Sequence, residues 1–239
     1  PYFVSVDPSP AKLRMFFGRR HQIRTIAGHL QNGDSILLIG ERRIGKTFLL
    51  SMLGDLADMG AEFYGSLLDQ ETGNLLVELR RASVSYQWVY VDLLSVTNAA
   101  GFRYRILAEL AEEQEVGDLC SSSADYTGFV GTLSKLSKDL SHEGKRAVIL
   151  VDESEKLLQW DESATLLACL KSAIQQCDAI DFLLAGDIKP HHQAVSEFAN
   201  LQGGLCPLYL PPLEAACARA LIQVPMEGRL SFDDQVLAR

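Results

Sequence analysis

The sequence predicts an α/β protein with a mostly parallel sheet and helices on its faces. Two uninterrupted apolar runs, residues 35–39 and 147–151, are typical of central parallel strands that are covered on both sides. Between them and after them, segments with helical spacing of apolar residues alternate with further strand-like segments. Such alternation indicates right-handed crossover connections and therefore a parallel sheet.

A helix and a strand open the predicted fold. Ile23, Ile26 and Leu30 recur at helical spacing and lead into a turn around Gly33. The strand at 35–39 follows directly. After a glycine-containing loop, an apolar stripe from Phe48 to Leu56 predicts the second helix, which we expect to end near Gly60.

Later elements continue the alternation after an irregular stretch. Residues 61–86 mix glycines, polar residues and short apolar groups, and we interpret them as an irregular, partly helical insertion. The remaining predicted strands cover residues 88–93, 147–151, 180–185 and 208–210. The predicted helices between them run through residues 102–110, 129–140 and 166–174.

Composition limits the class of protein. The 239 residues are 47% hydrophobic and 22% charged, which is ordinary for a globular chain. A net charge of -9 disfavours a surface dedicated to nucleic acid, because phosphates require a basic face.

The five scattered cysteines show neither C-x-x-C pairs nor metal-like spacing to histidine, so we expect reduced thiols. Without a bilayer-length apolar run or a signal pattern, we expect a cytoplasmic protein without membrane contact.

A phosphate-binding motif lies between the first predicted strand and the second predicted helix. Residues 40–47, the phosphate loop, match G-x-x-x-x-G-K-[ST]. Its glycines allow successive N–H groups to face phosphate oxygens, and the helix N-terminus adds positive charge. We expect Lys46 to reach the β- and γ-phosphates of ATP and Thr47 to hold Mg²⁺. The expected nucleotide contacts here are Gly40, Glu41, Arg42, Arg43, Ile44, Gly45, Lys46, Thr47 and Phe48.

Two adjacent acids follow the strand at 147–151. Asp152 is placed at the carboxyl edge of the sheet, where ligands of open α/β folds bind, and we predict that it holds Mg²⁺. Glu153 is then positioned to orient or deprotonate an attacking water, and with Lys46 it makes up the predicted catalytic pair. Glu155 is interpreted as a solvated loop acid with helix-capping character.

Several motifs resemble the STAND signalling ATPases, a branch of the AAA+-like P-loop proteins with the adjacent Asp-Glu pair. The segment Phe16-Phe17-Gly18-Arg19 is similar to the box that this family places at the adenine pocket, although Arg20 follows where Glu is usual. The phosphate loop fits the G-x-R-R-x-G-K-[ST] form of prokaryotic members, and Asp187 stands at the sensor position. The resemblance extends through residues 89–92, 149–153 and 208–213.

This resemblance implies a specific architecture. The sheet would have five parallel strands in the order 5-1-4-3-2. An extra strand would lie between the strand before the phosphate loop and the strand before the acidic pair, the loop and the pair being the Walker A and Walker B motifs of this family. Phe17, Gly18 and Arg19 would contact adenine. Residues 1–213 would form the P-loop NTPase core and residues 214–239 the beginning of a helical lid. Since the chain starts without Met and stops where a lid would continue, we expect it to be part of a longer protein.

Three hypotheses for function follow. The first is a molecular switch that binds ATP or ADP with Mg²⁺, hydrolyses ATP slowly, and works by self-association through this domain and through flanking sensor and effector domains. The second is an AAA+ motor or loader that acts on nucleic acid, which the acidic charge disfavours. The third is a nucleotide-binding interaction scaffold that does not hydrolyse.

Overall fold

A computed structural model describes residues 18–58, 85–111, 125–187 and 204–223. The described α-helices are α1 (Arg20–Asn32), α2 (Lys46–Asp58), α3 (Ala99–Leu110), α4 (Tyr126–His142), α5 (Ser163–Gln176) and α6 (Ala215–Gln223). The described strands are β1 (Ser35–Gly40), β2 (Ser85–Asp92), β3 (Lys145–Asp152), β4 (Ile180–Asp187) and β5 (Leu205–Leu210). A 3-10 helix, Ser154–Gln159, follows β3. The interpretation of residues 61–84 and the placement of Phe17 lie outside the described residues.

The five described strands form one parallel sheet in the order β2-β3-β4-β1-β5. This confirms the predicted order 5-1-4-3-2, including the insertion of β4 between the strands that precede the phosphate loop and the acidic pair. The register places Gly40 opposite Asp187 and Asp92 opposite Asp152. Because parallel strands end at the same edge, the predicted site residues gather at the carboxyl edge.

Helices cover both faces of the sheet because side chains alternate across each strand. On one face, Leu37 and Ile39 of β1 share a buried cluster with α3, α4 and α5. On the other face, Ile36 and Leu38 pack with α1 and α2. The central strand β1 is buried along its whole length, as its uninterrupted apolar run predicts.

Element boundaries differ from prediction at the starts of β2 and β5. Strand β2 begins at Ser85, so Ser85 and Tyr86 belong to the sheet and not to the irregular insertion. Strand β5 begins at Leu205, three residues earlier than predicted, and contains Pro207. Proline lacks a backbone N–H, and an edge strand tolerates this loss. Pro207 therefore concealed the first residues of β5, but not the strand itself, from the sequence pattern.

Helix α6 begins just after the predicted boundary at residue 213, and the division into core and lid stays a prediction. None of the described helices has the length and apolar character needed to cross a membrane.

Candidate nucleotide-binding site

The phosphate loop connects β1 to α2 through a tight backbone turn. The Ile44 N–H donates to the Glu41 carbonyl over 3.2 Å, and the Leu49 N–H donates to the Gly45 carbonyl over 3.0 Å. Gly45 has a φ of 101°, which side chains rarely allow. At Gly40, an added Cβ would lie 2.7 Å from Cγ2 of Ile44, so the loop closes only over a glycine. The backbone therefore fits the phosphate-binding shape that the motif predicts.

Arg43 also lies in the left-handed region, with a φ of 65°. This conformation costs a residue with a side chain roughly 1–2 kcal/mol of free energy. The side chains of Glu41, Arg42 and Arg43 are exposed. Their expected contribution to nucleotide binding therefore comes from the backbone N–H groups of the loop.

Lys46 begins α2 and is buried, with 7% of its side chain exposed. Its Nζ donates to the carbonyls of Gly40 and Glu41, each over 3.0 Å, and to Oδ1 of Asp187 over 2.5 Å. Asp187 ends β4, and its side chain is 18% exposed. The predicted sensor residue is thus in direct ionic contact with the predicted phosphate-binding lysine.

Thr47 and Phe48 follow in the first turn of α2. The Thr47 side chain is half-buried. The Phe48 side chain packs against the apolar cluster beneath α2, so its expected contact with a nucleotide is through the backbone.

Arg19 ties the phosphate loop to the segment after β5. Its guanidinium donates to the Ile44 carbonyl over 2.7 Å and to the Pro211 carbonyl over 2.6 Å. The side chain is 6% exposed, and burial lowers its pKa. The guanidinium nevertheless stays charged at neutral pH, because arginine is not deprotonated in proteins. Arg19 therefore fixes the shape of the loop from outside it.

Gly18 lies against the start of α6. Its φ is 68°, and an added Cβ would lie 2.7 Å from Cβ of Cys217 and 3.2 Å from Cδ2 of Leu213. Only glycine combines this backbone with this close approach. Gly18 and Arg19 thus join the N-terminal segment to the residues that follow β5, although the placement of Phe17 is outside the described part of the chain.

Asp152 is buried at the end of β3, with 3% of the residue exposed. Its Oδ1 accepts the Glu153 N–H over 3.0 Å, and its Oδ2 accepts the hydroxyl of Tyr90 over 3.1 Å. Burial, together with the Asp152 charge, raises the pKa of Tyr90 well above its ordinary value, so Tyr90 is a permanent donor. The sequence did not reveal Tyr90 as a site residue, because the contact forms between two strands.

A magnesium ion fits the chemistry of this donor set. Carboxylate and hydroxyl oxygens are the ligands that Mg²⁺ prefers, and Asp152 and Thr47 supply one of each. A carboxylate oxygen has two acceptor positions, so the two hydrogen bonds at Asp152 leave capacity for a cation.

Glu153 adopts a left-handed conformation with a φ of 55° and precedes the 3-10 helix. Desolvation raises the pKa of its carboxyl to about 7, with further contributions from the nearby carboxylates of Glu155, Asp152 and Asp187. A carboxyl group that titrates near neutrality suits general base chemistry.

Glu155 takes a larger part in the site than the predicted solvated loop acid. It is half-buried, and its Oε2 accepts the backbone N–H of Asp187 over 3.2 Å. An added Cβ at Gly186 would lie 2.8 Å from Oγ of Ser154 and 3.2 Å from Oε2 of Glu155. Residues 153–155 therefore pack closely on the end of β4.

Comparisons with known proteins agree with this geometry. A family model described as "AAA domain" matches residues 29–192. The chloroplast protein TRIGALACTOSYLDIACYLGLYCEROL 3 of Arabidopsis thaliana is 27% identical over 142 residues, which is 56% of this chain and 40% of that protein.

Two solved structures from Aeropyrum pernix are similar in fold. The ORC2 protein, in ADPNP-ADP complexes, has a TM-score of 0.60 at 16% identity and covers 89% of this chain and 54% of its own. The ORC1 protein in complex with DNA has a TM-score of 0.53 at 17% identity and covers 89% of this chain and 50% of its own. The chain thus spans only 40% to 54% of the length of these relatives.

Proposed function

The chain belongs to the AAA domain family of P-loop ATPases, and on that premise we propose that it is the ATP-binding, slowly hydrolysing switch domain of a larger STAND-like signalling ATPase. The observation that carries the proposal is the arrangement at the carboxyl edge of the sheet. There, Lys46 contacts Asp187 beside the phosphate loop, and β3, the strand next to β4, ends at Asp152, which Glu153 follows. This edge provides the buried ammonium group of Lys46 and several carboxylates, which an incoming nucleotide with its metal would rearrange.

The role of each residue follows from its position. The loop amides and Lys46 bind the β- and γ-phosphates, and Lys46 exchanges Asp187 for a phosphate oxygen. Thr47 and Asp152 hold Mg²⁺, which neutralises charge on the phosphates. Gly18 and Arg19 border the adenine end of the site, where we also place Phe17.

Hydrolysis needs a base at the water. Glu153 accepts a proton from a water molecule whose oxygen attacks the γ-phosphorus, the bond to the β–γ bridging oxygen breaks, and ADP and phosphate leave. Near neutral pH a sizeable share of Glu153 is protonated, since its pKa is about 7. The protonated fraction of Glu153 and the competing Lys46–Asp187 contact both favour slow hydrolysis of ATP.

The switch itself would be local. The backbone N–H of Asp187 donates a hydrogen bond to the Glu155 carboxylate, so a movement of Asp187 away from Lys46 would disturb that bond. Glu155 in turn raises the pKa of Glu153. Nucleotide state is thereby linked to the 3-10 helix after β3. We propose that self-association and flanking sensor and effector domains respond to this change, in a cytoplasmic protein.

Two variants test the proposal. Lys46→Ala should remove ATP binding in calorimetry, and Glu153→Gln should keep binding while it stops phosphate release. Exposed Lys138, on α4, offers a control as Lys138→Ala. Hydrolysis at the normal rate in both site variants would refute the assignment of Lys46 and Glu153.

A DNA-dependent motor or loader is the second candidate, because the similar ORC1 structure is a complex with DNA. The net charge of -9 weighs against it. Turnover that rises severalfold with added DNA, and falls back with salt, would favour the motor over the switch. A scaffold without hydrolysis would instead bind ATP and release no phosphate in the wild-type chain.

A further inference from the structure

Three metal-ligating side chains meet at the amino edge of the sheet, opposite the phosphate loop. His29, Asp34 and Cys206 each place one ligand atom within 4.8 Å of the others, and all three residues are half-buried. Their elements lie where β1 and β5 begin, since Ser35 pairs with Leu205 at this edge. The nucleotide site, at the other ends of the same strands, does not account for this group.

The backbone fixes two of these residues relative to each other. Helix α1 ends at Asn32, and its C-cap residue Gly33, with a φ of 78°, reverses the chain. The Asp34 N–H then donates to the His29 carbonyl over 2.9 Å. As a result, Nδ1 of His29 lies 2.9 Å from Oδ2 of Asp34. Cys206 comes from a different element, because β5 pairs with β1 and sets Cys206 opposite Ile36.

We propose that His29, Asp34 and Cys206 form a Zn²⁺ site that is separate from the nucleotide site. Imidazole, thiolate and carboxylate are the ligands that zinc takes, whereas Mg²⁺ and Ca²⁺ select oxygen ligands. Three protein ligands leave a fourth tetrahedral position for water.

The distances suit this ion after small movements. Zinc bonds of about 2.0–2.3 Å in a tetrahedron separate the donor atoms by roughly 3.3–3.6 Å. The His29–Asp34 separation of 2.9 Å is shorter, and 4.8 Å is the outer limit for the group. Side-chain rotations that move the donor atoms by about 1 Å therefore bring all three into the range of zinc bonds. The cation then replaces the proton shared by His29 and Asp34.

The surrounding charges do not oppose a cation. The Arg146 guanidinium lies beside this turn, with NH2 2.9 Å from the position of an added Cβ at Gly33. Arg146 is already paired with buried Asp181, through bonds of 2.8 to 3.2 Å. Its charge is thus balanced locally.

The consequence concerns β5, which pairs with β1 alone among the described strands. A zinc ion would tie β5 to the end of α1. The strand β5 leads to Pro211, whose carbonyl accepts a hydrogen bond from Arg19. Because Arg19 also bonds the phosphate loop, the zinc ion would stabilise the position of that loop as well. A ligand that binds only the folded state raises stability in proportion to the logarithm of its concentration.

Cobalt spectroscopy on the tag-free chain tests the proposal without nucleotide. Co²⁺ should bind at one equivalent and give a thiolate-to-cobalt charge-transfer band with the visible bands of tetrahedral coordination, and Zn²⁺ should abolish both. Cys206→Ser should lose the charge-transfer band, whereas Cys217→Ser, which changes another half-buried cysteine, should keep it. His29→Gln should weaken Zn²⁺ binding at least about tenfold, because even residues that only orient a ligand contribute that much.

Further measurements make the outcome decisive. Zn²⁺ should raise the Tm of the wild type and of Cys217→Ser but not of His29→Gln, and circular dichroism would confirm that each variant is folded. Lys46→Ala should keep the full cobalt spectrum, which separates this site from the proposed nucleotide site. A missing charge-transfer band in the wild type, or one that persists in folded Cys206→Ser, would overturn the proposal and leave an ordinary His29–Asp34 hydrogen bond.

Discussion

Nζ of Lys46 lies 2.5 Å from Oδ1 of Asp187, so the lysine of the phosphate loop has an anionic partner within the protein itself. Both side chains are largely buried, which strengthens their attraction compared with a surface pair. A triphosphate must compete with this carboxylate for the same cation. The strength of ATP binding should therefore depend on the charge of Asp187.

Asp187→Asn should tighten ATP binding by about tenfold, because a charge-assisted hydrogen bond of about 1.5–3 kcal/mol no longer competes with the phosphate. Calorimetric titration of the nucleotide measures the change in Kd. Asp178→Asn removes the same charge from an exposed position and should leave the Kd unaltered. Weaker binding in Asp187→Asn would show that the carboxylate assists the nucleotide instead of competing with it.

The pH dependence of hydrolysis should report Glu153. Its pKa is raised to about 7, so the basic form accumulates as pH rises through neutrality, and kcat/KM for ATP should increase over that range. Glu155→Gln removes one of the charges that raise this pKa and should move the midpoint to lower pH. Steady-state rates between about pH 5 and pH 9 provide the measurement. An identical midpoint in Glu155→Gln would exclude Glu153 as the titrating base.

Replacing Arg19 should loosen the phosphate loop. Arg19→Met keeps the apolar stem but leaves the carbonyls of Ile44 and Pro211 without this donor. Since a hydrogen bond from a charged donor contributes about 1.5–3 kcal/mol, loss of the two bonds should lower the free energy of unfolding by about 2 kcal/mol or more. Urea denaturation measures this loss. Arg105→Ala breaks only an exposed pair with Glu109 and should change stability by less than about 1 kcal/mol. Equal losses in both variants would contradict the bridging role.

Tyr90→Phe should impair metal-dependent hydrolysis while preserving the fold. The hydroxyl of Tyr90 orients the Asp152 carboxylate, and loss of such a supporting contact typically costs about tenfold or more in activity or metal affinity. Rates measured across a range of Mg²⁺ concentrations would show the effect, whereas ATP binding without metal should persist. Tyr86→Phe removes a hydroxyl from the same strand as a control. Normal Mg²⁺ dependence in Tyr90→Phe would remove Tyr90 from the site.

The sequence predicted those parts of the molecule that depend on local pattern. The buried strands β1 and β3, the phosphate loop that follows Gly40, and the position of Asp152 at the end of β3 all follow from apolar runs and short motifs. The strand order came from the resemblance to P-loop ATPases, and the sheet confirms it.

Contacts across strands were beyond the sequence pattern. The Lys46–Asp187 pair depends on the register that sets Gly40 opposite Asp187, and the Tyr90–Asp152 bond depends on the pairing of β2 with β3. Cys206 has no metal-like spacing to any histidine along the chain, yet the parallel pairing of β5 with β1 brings it near His29, 177 positions earlier. Spacing along one chain segment carries no information about such neighbours.

Pro207 lies within β5, at an outer boundary of the described sheet. With no N–H there, β5 cannot complete a continuous ladder with a sixth strand from another molecule. Assembly of copies of this chain by strand addition at β5, including fibre-like growth on that side, is therefore disfavoured.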